Sequence, residues 1–503
     1  MKNVKNTISL ITALVFIFAF STLMLLRIGM DSDMLYPFSF AKDILTGVSI
    51  KQWYAPGPIF LPDLLISIPL VHIFNNPVTW GIAFAYLQFL TIILLCTCFS
   101  ETKKALPFSS RFVYSTYVFI AALIAMRILF GATWGGMIGN FFLPAFHTSS
   151  VIMALLFFFW TKPCDFHNTS YLKIGLISLF SFIGGFSDAL YGYFLFFLMF
   201  PYILTYRTAL LKMPRWWIAM ISSGCATLFG TLLCLHTNPG FQSELSGHQS
   251  TSTINLVSNF MTFASIATWR GTFLTLCFPL VLLLIIRPKK ASNITPLLIS
   301  ASLIVFSEIV LGLQKQPNDA ITLRYTTICA IIMLYAFIEI APNKLAHISK
   351  HIFFSVLMLV LSLFLIHRSL HDRQKLQSTT YRYYTQSMLP CPEAQKHIPG
   401  SVIIATIIPA KDMFELTNRT ASLIEINSNL SVITQRNFIY NAAWKEIVKN
   451  PTGALFSTFH LNTDLVSKIE ALPNAETLCQ GTLVYVPMSP ELMNLAPVLK
   501  NKK

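Results

Sequence analysis

Charge is what this chain has least of. Of its 503 residues only 11% are charged and 21 are acidic, against 54% hydrophobic. A soluble protein of this length could not cover so much apolar surface with so little charge, which excludes an ordinary globular enzyme. An internal repeat is also missing, as is a small-residue cleavage site after the first apolar segment, where Leu25-Leu26-Arg27-Ile28 follows instead. That segment therefore reads as an uncleaved first span. The polar C-terminal stretch lacks any nucleotide-binding loop, metal cluster or nucleophile elbow.

What is present is a series of long apolar runs. Stretches such as 9–26 and 79–96 hold no charged side chain, as a helix crossing a bilayer requires. Spans are expected near 7–26, 78–99, 112–131, 148–161, 172–187, 189–206, 216–236, 270–286, 294–313, 325–341 and 352–367, about eleven helices in all. A net charge of +15 would suggest a nucleic-acid partner in a soluble protein. Here the cations gather in short connections: Lys103, Lys104 and Arg111; Lys162 and Lys173; Arg207, Lys212 and Arg215; Arg287, Lys289 and Lys290; Lys344 and Lys350. The positive-inside rule explains that distribution with a cytoplasmic N-terminus and no nucleic acid. An odd number of spans then carries the tail to the opposite face.

The segment 59–74 is apolar but short, and it holds Pro62, Asp63 and Pro69. Counted as a span it would invert every later basic loop, so it is expected as a re-entrant or interfacial outer helix. The fold class is thus an α-helical polytopic membrane protein with a small C-terminal α/β soluble domain. The polytopic domain covers 1–370, with a first outer loop over 27–78, and the extracytoplasmic α/β domain covers 378–503. Within that domain strands are expected over 401–408, 421–426, 430–434, 454–459 and 481–486, and helices over 411–418 and 462–472. Cys391 and Cys479 bracket it, which suggests a disulfide and an oxidising compartment.

Ionisable residues in or beside spans are costly and tend to be functional. On this topology they cluster at the outer face: Asp31, Asp33, Asp43 and Asp63 in the first loop, then Arg127, His147, Asp188, Arg270, Glu308, Asp319 and Arg324. Each has a plainer reading. Asp31 or Ser32 caps a helix starting near Met34, Arg127 snorkels to headgroups, and Asp319 pairs with Arg324. His147 is a satisfied loop histidine on that view. Glu308 needs a partner or a water-filled pocket. For Asp188, in Gly184-Gly185-Phe186-Ser187-Asp188, a tight turn between apolar helices offers no structural need of a carboxylate.

The acidic pair in Met30-Asp31-Ser32-Asp33, directly after the first span, resembles the GT-C superfamily of membrane glycosyltransferases. The proline-containing stretch Trp53-Tyr54-Ala55-Pro56-Gly57-Pro58, running on to Pro62-Asp63, is similar to the segment before that family's second span. Arg324-Tyr325 loosely matches an Arg-Tyr pair that binds the lipid phosphate in some members. The resemblance covers most of the chain in layout but only short motifs in sequence. It implies transfer of a sugar from a polyprenyl-phosphate-linked donor to an acceptor glycan, lipid or protein on the extracytoplasmic face. Asp31 or Asp33 would take the acceptor proton, and Arg324, Tyr325, Arg270 and Arg127 would bind the donor phosphate. The membrane is either a bacterial inner membrane, with the tail periplasmic, or an endoplasmic reticulum. No particular cofactor is implied. A divalent metal is left open, because the family's second acidic motif has no counterpart in 131–147, which lacks a carboxylate. A transporter or lipid flippase, and a non-catalytic assembly protein, are the competing readings.

Overall fold

The computed structural model describes residues 2–28, 32–47, 61–75, 77–100, 103, 106–130, 139–143, 147–161, 170–237, 258, 261, 277–284, 294–311, 326–341, 356–368, 402–408, 420–426, 432–439, 453–457, 463–478, 481 and 483–492. Five helices are long and apolar enough to cross a membrane: Asn6–Leu26, Val78–Phe99, Phe108–Met126, Leu190–Leu210 and Pro214–His236. Six shorter apolar helices accompany them among the described residues. The chain is a helical multi-pass membrane protein.

In chain order the helices are α1 (Lys2–Ile28), α2 (Ser32–Leu45), α3 (Leu61–Ile73), α4 (Pro77–Phe99), α5 (Phe108–Phe130) and α6 (Thr148–Trp160). There follow α7 (Tyr171–Ser187), α8 (Leu190–Leu210), α9 (Pro214–Thr237), α10 (Ile294–Leu311), α11 (Thr327–Ile340) and α12 (Val356–Arg368). A short 3-10 turn, Asn140–Phe142, precedes α6.

Three of these helices end together. The Tyr335 hydroxyl of α11 donates to the Phe99 carbonyl at 2.9 Å, and the Phe99 and Phe159 rings stack at 4.4 Å. Lys103 Nζ and the Tyr114 hydroxyl donate to the Ala341 carbonyl at 2.7 and 2.9 Å. Trp216 Nε1 donates to the Thr161 carbonyl at 2.8 Å. The C-termini of α4, α6 and α11 are thus capped by neighbours at one end of the bundle, the Phe99 end. A cation there suits the negative end of the α11 dipole. Burial pushes the Lys103 ammonium down from its usual value, and the charge of Glu339 partly restores it.

From that shared end the helices reach different heights. At 1.5 Å per residue α4 is about 35 Å long, but α6 and α11 are only about 20 Å. Their N-termini therefore stop near the midpoint of α4. Hydrogen bonds fix that level. Gln88, the middle residue of α4, donates its amide to the carbonyls of Asn140, Phe141 and Leu143 at 3.1–3.2 Å. Asn140 accepts from the Thr148 hydroxyl at 2.7 Å and donates to the Thr327 hydroxyl at 3.0 Å. Thr148 opens α6 and Thr327 opens α11, so both begin at half depth.

The remaining elements converge on the same level. α7 ends and α8 begins at Asp188, which is bonded to the first turn of α6. α3 begins there too, since the Leu61 N–H donates to Ser187 Oγ at 2.8 Å. It then runs about 20 Å and finishes just before Pro77, at the far end of α4. Both ends of α3 thus lie in one half of the bundle. α2 packs on α3, and its Phe38 ring lies 5.4 Å from Trp80 in the first turn of α4. It therefore belongs to the Pro77 end.

α7 and α9 run parallel and almost touch. A Cβ on Gly185 would strike the Thr227 carbonyl oxygen, and one on Gly230 would strike the Phe182 carbonyl oxygen. The Thr231 hydroxyl reaches the Gly185 carbonyl at 3.2 Å, and the Ser178 and Ser222 hydroxyls bond at 2.8 Å.

The C-terminal stretch forms a six-stranded sheet in the order β3-β2-β1-β4-β6-β5. The strands are β1 (Val402–Ile408), β2 (Thr420–Ile426), β3 (Val432–Ile439), β4 (Ala454–Ser457), β5 (Glu476–Leu478) and β6 (Leu483–Val486). β1 and β4 are parallel, with Ile404 opposite Leu455, while the other neighbours are antiparallel. One helix, α13 (Thr463–Glu470), buries Ile469. β3 runs several residues beyond the expected 430–434, and the three-residue β5 has no counterpart among the expected strands. The helix expected over 411–418 lies outside the described residues, as do Cys391 and Cys479.

Candidate functional site

The level where α3, α6, α8 and α11 begin is a buried polar layer. Its centre is His147, the residue preceding α6. Its ring Nδ1 lies 2.6 Å from Asp188 Oδ2, with the His147 side chain 6% and the Asp188 side chain 1% exposed. The same oxygen accepts from Ser150 Oγ at 2.7 Å, and Oδ1 accepts from the Leu190 N–H at 2.9 Å. A carboxylate only accepts, so Nδ1 carries the hydrogen that joins the pair. His147 adopts a left-handed backbone, φ 61°, an arrangement that costs a non-glycine residue free energy and is held by its surroundings.

Asp188 thus has a structural use that its place in the sequence did not suggest. It satisfies the first amide of α8 and binds the first turn of α6, where two positive dipole ends favour an anion. A buried pair of this kind is weak evidence for stability, because desolvation of both groups offsets their attraction. Removing one partner would leave the other costly.

Asp63 is 1% exposed and sits in the first turn of α3, whose opening amide is tied to Ser187 beside Asp188. Glu308 on α10 is also 1% exposed. Tyr193, in the first turn of α8, bonds the Ile304 carbonyl at 3.3 Å and Ser307 Oγ at 2.5 Å, and the charge of Glu308 acts on Tyr193 and Cys329. Glu308 therefore stands near the same level. Ser149 Oγ on α6, Ser67 Oγ on α3 and Trp80 Nε1 on α4 are buried without a hydrogen-bond partner among the described residues.

Among the candidates read from the sequence, His147 and Asp188 are bonded to each other, and Asp63 and Glu308 belong to the same half-depth region. Asp33 falls in the first turn of α2 and Arg127 in the last turn of α5, both towards the Pro77 end. Asp31, Arg270, Asp319, Arg324 and Tyr325 lie outside the described residues. Among the described residues no three His, Cys, Asp or Glu side chains gather as metal ligands. Gln88, Asn140, Ser150 and Ser187 were not singled out from the sequence. Gln88 had a signal, since it is a lone amide in an otherwise apolar span. Ser150 had a weaker one in the run Thr148-Ser149-Ser150 at a helix start. A groove between α8 and α10, lined by Phe200, Pro201, Leu204, Ile299 and Leu303, is apolar and carries no comparable chemistry.

The fold and site define a multi-pass helical membrane protein with a buried polar layer at half depth. No family model matches the chain, and neither does any curated protein or solved structure.

Proposed function

We propose that the protein transfers a sugar from a polyprenyl-phosphate carrier to an acceptor, at the membrane face where α2 and α3 lie. The observation that carries this reading is the first connection after α1. Its described residues form α2 and α3, beside a buried layer holding Asp63, His147 and Asp188. Buried carboxylates at membrane depth are costly and mark sites that handle polar substrates. A donor carried on a lipid reaches such a layer from within the bilayer, and an acceptor reaches it past α2.

The reaction comes from the resemblance of the Asp31–Asp33 pair and the stretch 53–63 to GT-C enzymes. The acceptor hydroxyl loses its proton, and its oxygen bonds to the anomeric carbon. The bond from that carbon to the phosphate oxygen breaks, releasing polyprenyl phosphate. Arg127, Arg270 and Arg324 are the cations offered to the departing phosphate. Lys103, Arg111, Lys173, Arg207, Lys212 and Arg215 all belong to connections or helix ends at the Phe99 end, which supports a cytoplasmic placement for that end. The α2–α3 face is then extracytoplasmic.

The test uses purified protein in liposomes with a radiolabelled polyprenyl-phosphate sugar and a crude acceptor fraction. Wild type should form labelled product, and Asp31→Asn and Asp33→Asn should each lower the rate by about 100-fold or more. Unchanged product from both variants sinks the assignment. One observation favours a second reading. Half depth, where His147 and Asp188 sit, is where transporters hold their binding residues. Flux of a lipid or solute without chemical turnover in the same liposomes would select transport.

A further inference from the structure

The groove between α8 and α10 lies apart from the polar layer and opens towards lipid. Phe200, Pro201, Leu204 and Thr205 line it on α8, and Ile299 and Leu303 line it on α10. Phe200 is 44% and Leu204 57% exposed, so its outer side is open. Tyr202 sets its level, because the Tyr202 and Phe158 rings meet at 5.1 Å and Phe158 belongs to the last turn of α6. The groove therefore sits in the half of the membrane nearer the Phe99 end. α10 runs antiparallel to α8 there. Tyr193 bonds Ile304 and Ser307 towards half depth, while Phe200 and Leu204 share the groove with Ile299 and Leu303.

The groove coincides with a break in α8. Pro201 has no N–H for the Phe197 carbonyl, and Tyr206 leaves helical geometry at φ −111° and ψ 16°. The Thr205 hydroxyl donates to the Pro201 carbonyl at 2.7 Å, so the one hydroxyl in the lining already has its proton engaged. The volume of about 230 Å³ is below the roughly 300–1,000 Å³ of a pocket for a drug-sized ligand. A length of one hydrocarbon chain suits it better than a polar solute.

Cations stand where such a chain would end. Arg207 comes one turn after Leu204, and Lys212 lies in the turn to α9; both are exposed. Among the described residues neither is paired with a carboxylate. Trp217, half-buried in the first turn of α9, marks this level as the membrane interface, where indole rings sit among headgroups. Basic sites between helices at such a level bind anionic headgroups.

We propose that α8 and α10 hold an anionic phospholipid of the leaflet at the Phe99 end, with one acyl chain in the groove and its phosphate beside Arg207 and Lys212. A neutral lipid fills the groove equally well but gains less from the two cations. The inference goes beyond the sugar-transfer reading and does not depend on it, since α2 and α3 lie in the other half of the bundle.

The test offers full-length protein, purified in detergent and stripped of lipid, equal amounts of phosphatidylglycerol and phosphatidylcholine. Retained lipid is counted by native mass spectrometry. Wild type should favour phosphatidylglycerol by about tenfold. Two variants separate the parts of the site. Arg207→Ala combined with Lys212→Ala removes the cations and should bring the two lipids close to parity. Leu303→Trp fills the groove, leaves every charge in place, and should lower phosphatidylglycerol retention by about tenfold, the effect of unburying a few methylenes. Melting curves check that each variant folds, and Ile299→Phe takes the place of Leu303→Trp should that one not. Equal retention of both lipids by wild type overturns the site. So does a preference that no variant changes, the mark of a general basic surface. Loss with the cation variant alone removes the groove from the proposal, and loss with the groove variant alone removes headgroup recognition; either result overturns it. Polyprenyl phosphate, added in a second series, should not displace phosphatidylglycerol at equal concentration. Displacement would make the groove a carrier-lipid site and overturn the phospholipid assignment.

Discussion

Gln88 shows how much one polar side chain organises here. Its amide faces the carbonyls of Asn140, Phe141 and Leu143, so the NH2 group must be on that side, and it holds the 3-10 turn against the middle of α4. Replacing Gln88 by Leu keeps the volume but leaves buried carbonyls short of a donor. The expected loss is about 2 kcal/mol or more, read as a lower unfolding temperature in detergent. Lys103 acts at the Phe99 end, where its ammonium shares the Ala341 carbonyl with Tyr114. Lys103→Met should cost about 1–2 kcal/mol, less than Gln88→Leu, because the tyrosine bond remains. A larger loss from Lys103→Met would mean that the cation holds more of the Phe99 end than these bonds describe.

Among the elements, the close parallel contact of α7 and α9 is the most exacting. Gly185 meets the Thr227 backbone, whereas Gly224, on α9, faces open space. Gly185→Ala should destabilise the protein by about 1–3 kcal/mol, since backbone on the other helix must move. Gly224→Ala should be neutral or slightly stabilising, through helix propensity. Equal effects at the two positions would contradict the packing. The pair Gly184-Gly185 was visible in the sequence, but the helix it approaches was not. α7 was expected to pack somewhere, and nothing in an apolar helix names its neighbour. The short lengths of α6 and α11 are a similar case. Nothing in their apolar sequences says at which level they start. In space they are the reason a polar layer exists at half depth, because helices that start there bring their first-turn hydroxyls and amides with them.

For the whole molecule, sidedness yields a direct test. Thr46 and Gly47 are exposed at the end of α2, and Leu211 is exposed at the turn between α8 and α9. Cysteines introduced at Thr46 and Leu211 should react from opposite sides of intact cells with a membrane-impermeant thiol reagent. Thr46→Cys should label directly, and Leu211→Cys only after permeabilisation. The reverse pattern would turn the bundle over and place the layer's open half towards the cytoplasm.

The sequence by itself determined that this is a multi-pass helical membrane protein, because apolar runs with so few charges leave no other solvent for the chain. It also marked 59–74 as unlike a span, because two prolines and an aspartate stood in a stretch too short to cross. It pointed to Asp63, His147, Asp188 and Glu308 individually, since an ionisable group is conspicuous in an apolar background. The tertiary structure alone decided that His147 and Asp188 are partners, 41 residues apart in the chain. It also decided that their meeting place lies at half depth. The depth of a residue in a bundle depends on which helices share an end, and that is fixed by contacts such as Tyr335 to Phe99 and Leu61 to Ser187. Hydropathy carries no record of those pairings.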